Sequence, residues 1–350
     1  MNAGDPYAAA WRCLIGEMLG GPATALPADA LERLESMIGA ALAHHALDGD
    51  SATPQVDPAR ARQSLLLNRL NRHRQIDCLA RLASAGIETV AMKGFASGHT
   101  LYPDPDLRIT GDLDVLIRHA DVSAATQVFT DLGFRVATDI PLAAWGFTSE
   151  ASYLPIVSAD EVANVDLHIE PDCYPLYRGL DVGAVFAAAR TIAVGRLDVR
   201  IPSPEHALLI AVSNATKERF DRATIKSLLD MPRLIRGGLD WEEVGRRAQS
   251  ARLLRPLEAT MALLIALGLP AALVPVEFTL LPGMLATAEM ARVATEVRQF
   301  YPHEIGAMAK VRRELLVSAE PVAVAYRAWL RLKGLVRPRT GDPRAMPDAA

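Results

Sequence analysis

Cysteine, aromatic side chains and long apolar runs are all scarce in this 350-residue chain, and each scarcity removes a class of protein. The three cysteines, Cys13, Cys78 and Cys173, are odd in number and far apart. They form neither a disulfide framework nor a paired zinc motif, and a reducing, cytoplasmic setting suits them best. The first residues, Met1 to Tyr7, lack a basic region followed by an apolar core, so no signal peptide is expected. The most apolar stretch, 259–276, is interrupted by Gly268, Pro270 and Pro275. Its longest clean run falls far short of the roughly 20 residues a membrane span needs, so a buried core helix and no membrane partner are expected. Charge of neither sign dominates. A net charge of −4 leaves no overall basic footprint for wrapping nucleic acid.

What is present suits a folded, helix-rich protein. Half the residues are apolar, enough for a core, and Ala, Leu and Arg are plentiful. At this length one large or two modest domains are expected. The spacing predicts helices over 6–19 and 28–47, a polar loop over 48–58, and a helix over 59–85 closing at Gly86. The pattern then changes. Residues 87–92 read as a strand, followed by Lys93-Gly94 and a short helix over 95–101 that Pro103 and Pro105 stop. Further strands are expected over 112–117, 134–138, 153–157 and 164–170, with a helix over 122–132. After Pro202-Ser203-Pro204 the strand signals vanish. Helices are expected over 205–214, 223–234, 241–250, 256–267 and 284–296, then over 304–330 with a break at Pro321. The division that follows is an N-terminal helical segment (1–85), an α/β core (86–202), a C-terminal helical domain (203–336) and a disordered tail (337–350). The expected class is α+β, a small mixed sheet flanked by helices.

The segment carrying chemistry is Gly111-Asp112-Leu113-Asp114-Val115-Leu116-Ile117. Residues two apart on a strand share a face, so Asp112 and Asp114 project side by side while Leu113, Val115 and Ile117 face the core. Carboxylates that close repel unless something positive lies between them, and a divalent cation is the usual answer. A third acid lies in Val165-Asp166-Leu167-His168-Ile169, where Asp166 interrupts an apolar strand, a costly placement unless it is paired or metal-bound. Lys93-Gly94 lies between a strand and a helix, where backbone amides can approach phosphate. Lys93 adds a point charge and Arg108 a fork of donors. Each residue also has a plainer reading. Asp166 could pair with an arginine, Lys93 could face water, and Arg108 could bridge Asp104 or Asp106. His168 could be a hydrogen-bonded core histidine, and Lys217 and Asp230 could be solvated helix charges. If Asp112 and Asp114 exist to hold metal, changing either to Asn should leave the metal-free fold equally or more stable.

The run from Lys93-Gly94 through Tyr102-Pro103, Arg108 and Gly111-Asp112-Leu113-Asp114, with Val165-Asp166-Leu167-His168 downstream, resembles the uncharacterised bacterial nucleotidyltransferase family of the DNA polymerase beta-like superfamily. It is similar, more distantly, to abortive-infection and toxin nucleotidyltransferases. The resemblance covers roughly Ile87 to Ile235. The sequence departs from the superfamily at Gly94-Phe95, where Gly-Ser or Gly-Gly is common, and at Val212-Ser213-Asn214, where family members often carry a histidine. Lys217 and the stretch from Lys226 to Asp230 loosely match a later lysine and aspartate. The resemblance implies a nucleotidyltransferase core in which Asp112, Asp114 and Asp166 are catalytic and hold Mg2+ or Mn2+. It further implies that Lys93, Gly94, Arg108, Gly111 and Lys217 attend the phosphates of a nucleoside triphosphate such as ATP. The acceptor would be a small molecule, a peptide, a protein or an RNA end. The alternative is a non-catalytic nucleotide-sensing or partner-binding module on the same fold.

Overall fold

A computed structural model of the protein describes residues 5–16, 25–49, 54–136, 152–160, 163–171 and 179–318, with Val322, Ala325 and Trp329. Cys173, the tail over 337–350 and the far ends of the elements expected to reach Leu19, Thr138 and Leu330 lie outside the described residues.

Four helices open the chain: α1 (Pro6–Leu14), α2 (Ala28–Ile38), α3 (Ala40–Leu47) and α4 (Pro58–Ser84). Asp5 and Asp57 cap α1 and α4, accepting from the amides of Tyr7 and Ala59, and each helix begins with a proline. The apolar pattern over 28–47 predicts one helix. Gly39, at φ +85° and ψ 146°, divides it in two, a conformation that only glycine adopts without strain.

The sheet follows as β1 (Thr89–Ala91), β2 (Leu113–Ile117), β3 (Arg135–Val136), β4 (Ser152–Val157) and β5 (Asn164–His168). Its order is β1-β2-β5-β4-β3. β2 and β5 run parallel and the other neighbours antiparallel, so the sheet is mixed, as the α+β expectation requires. α5 (Lys93–Leu101) leaves β1 and α6 (Val122–Asp131) leaves β2. The helix expected from Phe95 begins two residues earlier and takes Lys93 and Gly94 into its first turn.

Helix α7 (Val182–Ala188) and a hairpin of β6 (Arg190–Val194) and β7 (Leu197–Ile201) occupy a stretch where no element is expected. The rest is helical: α8 (Pro204–Lys217), α9 (Ile225–Arg236), α10 (Trp241–Ser250), α11 (Leu254–Ala266), α12 (Met284–Arg298) and α13 (Ala307–Val317). Apolar α11 is the buried core helix expected, and no helix among the described residues is long and apolar enough to cross a membrane.

Two apolar clusters position everything else. One joins the N-terminal helices to the C-terminal ones, through Trp11, Leu34, Leu42, Leu209, Met231 and Val293. Trp11 stacks on Phe300 at 5.6 Å and donates its indole N–H to the Arg298 carbonyl, so α1 is tied to the end of α12. The other lies beneath the sheet and gathers Leu79 and Leu82 of α4, Phe129 of α6, and Leu113, Val115 and Ile117 of β2. Leu116 belongs to the first cluster. The two-residue alternation of β2 therefore turns Asp114, with Leu116, toward the helical side. Fully burying one such apolar side chain contributes about 1.5–3 kcal/mol, which sets the strand's register firmly.

Candidate active site

The register of the parallel pair brings the acids together. Asp114 of β2 stands directly opposite Asp166 of β5, and Leu116 opposite His168. Side chains in that register share a face, so Asp114, Asp166 and His168 converge. One ligand atom from each lies within 4.8 Å of the others. Asp114 is buried, whereas Asp166 keeps 25% of its side chain exposed. His168 Nε2 donates to Asp114 Oδ1 at 2.9 Å and stands 3.9 Å from Asp166 Oδ2. Its Nδ1 is buried with no hydrogen-bond partner among the described residues. His168 is thus both a core residue and a member of the cluster.

Asp112 lies just before β2 on the solvent-exposed rim, outside that tight group. It still belongs to the same field. Its carboxyl is raised above the usual range, chiefly by the charge of Asp114, and more weakly by Asp166. Helix α4 holds this rim in place. Gln75 donates to the Asp112 carbonyl at 3.1 Å and to Thr110 Oγ1 at 3.0 Å, and Asn71 to the Thr110 carbonyl at 2.5 Å. Gly111 has nothing near the position a side chain would take, so the approach to Asp112 is open.

Lys93 supplies the positive charge. Its Nζ lies 2.5 Å from Asp114 Oδ1. Burial would raise the Asp114 carboxyl, but Lys93 and the His168 hydrogen bond outweigh it and hold it well below the usual carboxylate range. The expected gain in stability on neutralising these aspartates therefore splits. It applies to Asp112, which is repelled, and reverses for Asp114, which is paired. Lys93 has φ +45°, a left-handed conformation costing on the order of 1–3 kcal/mol outside glycine. Gly94 has a packing reason to be glycine: a Cβ there would come within 2.5 Å of Thr110 Cγ2.

Arg108 is occupied elsewhere. Its guanidinium makes a two-pronged pair with Asp230 of α9, Nε to Oδ1 at 2.9 Å and Nη2 to Oδ2 at 2.7 Å, both residues buried. Tyr102 Oη donates to the same carboxylate at 2.7 Å. Asp104 and Asp106, the local acids expected to bridge Arg108, are held instead by arginines of α4. Arg69 reaches Asp104 at 3.6 Å and Asp106 at 2.7 Å, and Arg72 reaches Asp106 at 3.2 Å. Lys217 lies 3.5 Å from its neighbour Glu218, and no described contact joins it to the carboxylates. A second cation within the field of these carboxylates, besides Lys93, is Lys226, one turn before Asp230. It is partly buried and makes no ion pair among the described residues. Burial first, then Arg108, lowers its ammonium, while Asp112, Asp230 and Asp114 favour its charge. Beside the cluster, Lys93 also lines a cleft with Ser97, Arg190, Asn214 and Ser227, closed on one side by the unexpected hairpin.

The donor set fits a divalent cation. Asp114 and Asp166 offer carboxylate oxygens beside the His168 ring nitrogen, and the charge of Asp114 already perturbs Asp112 on the adjoining rim.

A mixed sheet presenting paired acids from adjacent parallel strands, with helices above it, has the character of a nucleotidyltransferase fold. The chain belongs to the family of uncharacterised nucleotidyltransferases, whose model matches residues 31–267. No curated protein matches it. Among solved structures it is similar to an antigenic nucleotidyltransferase-like protein from Paracoccidioides brasiliensis, at 16% identity and a TM-score of 0.33, over 55% of this chain and 91% of that one.

Proposed function

We propose that this protein transfers a nucleoside monophosphate from a nucleoside triphosphate to an acceptor hydroxyl or phosphate, releasing pyrophosphate, with Mg2+ or Mn2+ as cofactor. The observation that carries this reading is the pairing of Asp114 opposite Asp166 on parallel strands, with Asp112 on the adjoining rim. Bound divalent ions would neutralise the triphosphate and lower the pKa of the attacking hydroxyl. Asp112, Asp114 and Asp166 would hold the ions. Asp166, the more exposed of the strand pair, accepts the proton of the acceptor hydroxyl at its carboxylate. His168 fixes the Asp114 carboxylate through Oδ1.

Phosphate contacts fall to Lys93, to the first amides of α5 at Gly94, to the open backbone at Gly111, and to Lys226. Arg108 serves by fastening α9, and so Lys226, to the strand that carries the acids. Lys217 is further out, at the end of α8. The acceptor is a small molecule, peptide, protein or RNA end, and the absence of a strong basic balance favours the first three. Membership of the DNA polymerase beta-like superfamily, a bacterial source, ATP as donor and a cytoplasmic setting all accord with this reading.

The test incubates the protein with each of the four labelled nucleoside triphosphates and magnesium. Pyrophosphate release, abolished in Asp112→Asn, is the expected result. Release of diphosphate instead would mean phosphoryl transfer. Metal-independent nucleotide binding with no release would favour the sensing module.

A further inference from the structure

The carboxylate cluster already contains a cation of its own. Lys93 Nζ touches Asp114 Oδ1, and Asp112 and Asp166 attract the same ammonium from further away. The backbone that delivers it is built for the purpose. Met92 donates its amide to the Asp114 carbonyl at 2.9 Å, Lys93 takes up its left-handed conformation, and Gly94 is pressed against Thr110. Lys93 is thereby held against β2 despite the strain at its own residue. The side chain is not sealed in. It remains 23% exposed and lines the cleft shared with Ser97, Asn214 and Ser227. His168, the other partner of that oxygen, approaches through Nε2 and stands 3.9 Å from Asp166 Oδ2, so it can itself act as a ligand beside the two acids.

We propose that Lys93 is an exchangeable counter-cation, its ammonium occupying the carboxylate cluster until a divalent ion displaces it. The inference rests on the metal-dependent reading above. The exchange is purely ionic: one ammonium leaves Asp114 as one metal ion arrives. Metal binding alone must break the Lys93–Asp114 pair without compensation. When a triphosphate is present, the released ammonium gains phosphate oxygens as partners. Metal and nucleotide therefore bind cooperatively, each strengthening the other by the same factor. A lysine that only binds phosphate, leaving the acids free for metal, has no such consequence.

The experiment titrates Mn2+ by calorimetry, without nucleotide, into the wild-type protein, Lys93→Met and Lys93→Gln, after each has been shown to melt cooperatively. Both variants should bind Mn2+ about tenfold more tightly than wild type. The enhancement of Mn2+ binding by a non-hydrolysable triphosphate analogue should be large in wild type and shrink in both variants. Unchanged or weaker Mn2+ binding in the variants would overturn the exchange. A second measurement uses the wild-type protein alone. Adding Mn2+ should increase acylation of Lys93 by an amine-reactive reagent, read by peptide mass spectrometry, and no change or a decrease would contradict the proposal. If wild type binds no Mn2+ even with the analogue, the metal-dependent function itself fails, an outcome distinct from tight binding that ignores Lys93.

Discussion

Two knots of charge in this protein, one buried and one partly open, use the same residue types and balance them differently. At the junction of α9 with the loop before β2, Arg108 meets Asp230 with two hydrogen bonds, and Tyr102 adds a third to that carboxylate. One cation answers one anion, and the knot is closed. Around β2 and β5, Asp114, Asp166 and the neighbouring Asp112 gather beside the Lys93 ammonium, and the repulsion between Asp114 and Asp112 shows in the raised carboxyl of Asp112. The difference separates architecture from chemistry. A closed pair fastens elements together, whereas clustered charge of one sign beside a cleft marks a place where a ligand of the other sign can bind.

Breaking the closed knot should produce the largest effect on stability. Arg108→Ala or Asp230→Asn leaves an uncompensated buried charge and should cost about 3–5 kcal/mol by urea unfolding. Losses below about 1 kcal/mol would show that water reaches the pair. In the open knot, Asp112→Asn and Asp114→Asn should each lower transfer more than about 100-fold, since each loses part of the ion site. Their metal-free melting points should move in opposite directions. Asp112→Asn should rise because a repelled carboxylate is gone, and Asp114→Asn should fall because Lys93 and His168 lose their acceptor. Movement in the same direction would erase the distinction drawn between the two aspartates. His168→Gln should weaken Mn2+ binding by roughly 10–100-fold with little change in fold, the usual consequence of disturbing a group that orients a ligand.

The smallest effect concerns acid stability. Burial, and then Arg72, push the His99 imidazole down to about 4 from its ordinary 6.5, and its Nε2 is buried with no partner among the described residues. The unfolded chain therefore binds a proton that the folded chain refuses. The associated stability is fully present above about pH 6.5 and is lost as pH falls toward 4. His99→Phe, which keeps a ring against Phe95, should flatten that part of the stability–pH curve. An unchanged slope would shift the burden to His206, also held near 4 by burial beside Arg247.

The open knot was legible in the sequence and the closed one was not, for a physical reason. A two-residue period states which strand residues share a face, so Asp112, Asp114 and Asp166 could be read locally. The partner of Arg108 lies 122 residues away, and nothing in periodicity couples a loop arginine to a helix aspartate. Local reading offered Asp104 and Asp106 instead, which α4 claims. The hairpin over 190–201 did carry a signal. Alternation in Leu197-Asp198-Val199-Arg200-Ile201 follows a two-residue Gly195-Arg196 turn, with Gly195 at φ +62°. His168 was visible as a strand histidine sharing the face of Asp166, whereas Lys226 drew attention only as a loose match, because a helix lysine carries no local sign of the charges near it in the fold.

On the proposed function, the acids on and beside β2 and β5 hold a metal–nucleotide complex. Thermal melting of wild type and Asp112→Asn, with and without magnesium and a panel of nucleoside triphosphates, tests it without knowledge of the acceptor. A triphosphate should raise the wild-type melting point only when magnesium is present. Asp112→Asn should start higher than wild type in chelator and gain nothing from the same additions. A variant that starts lower, or that keeps the magnesium-dependent rise, would contradict that function.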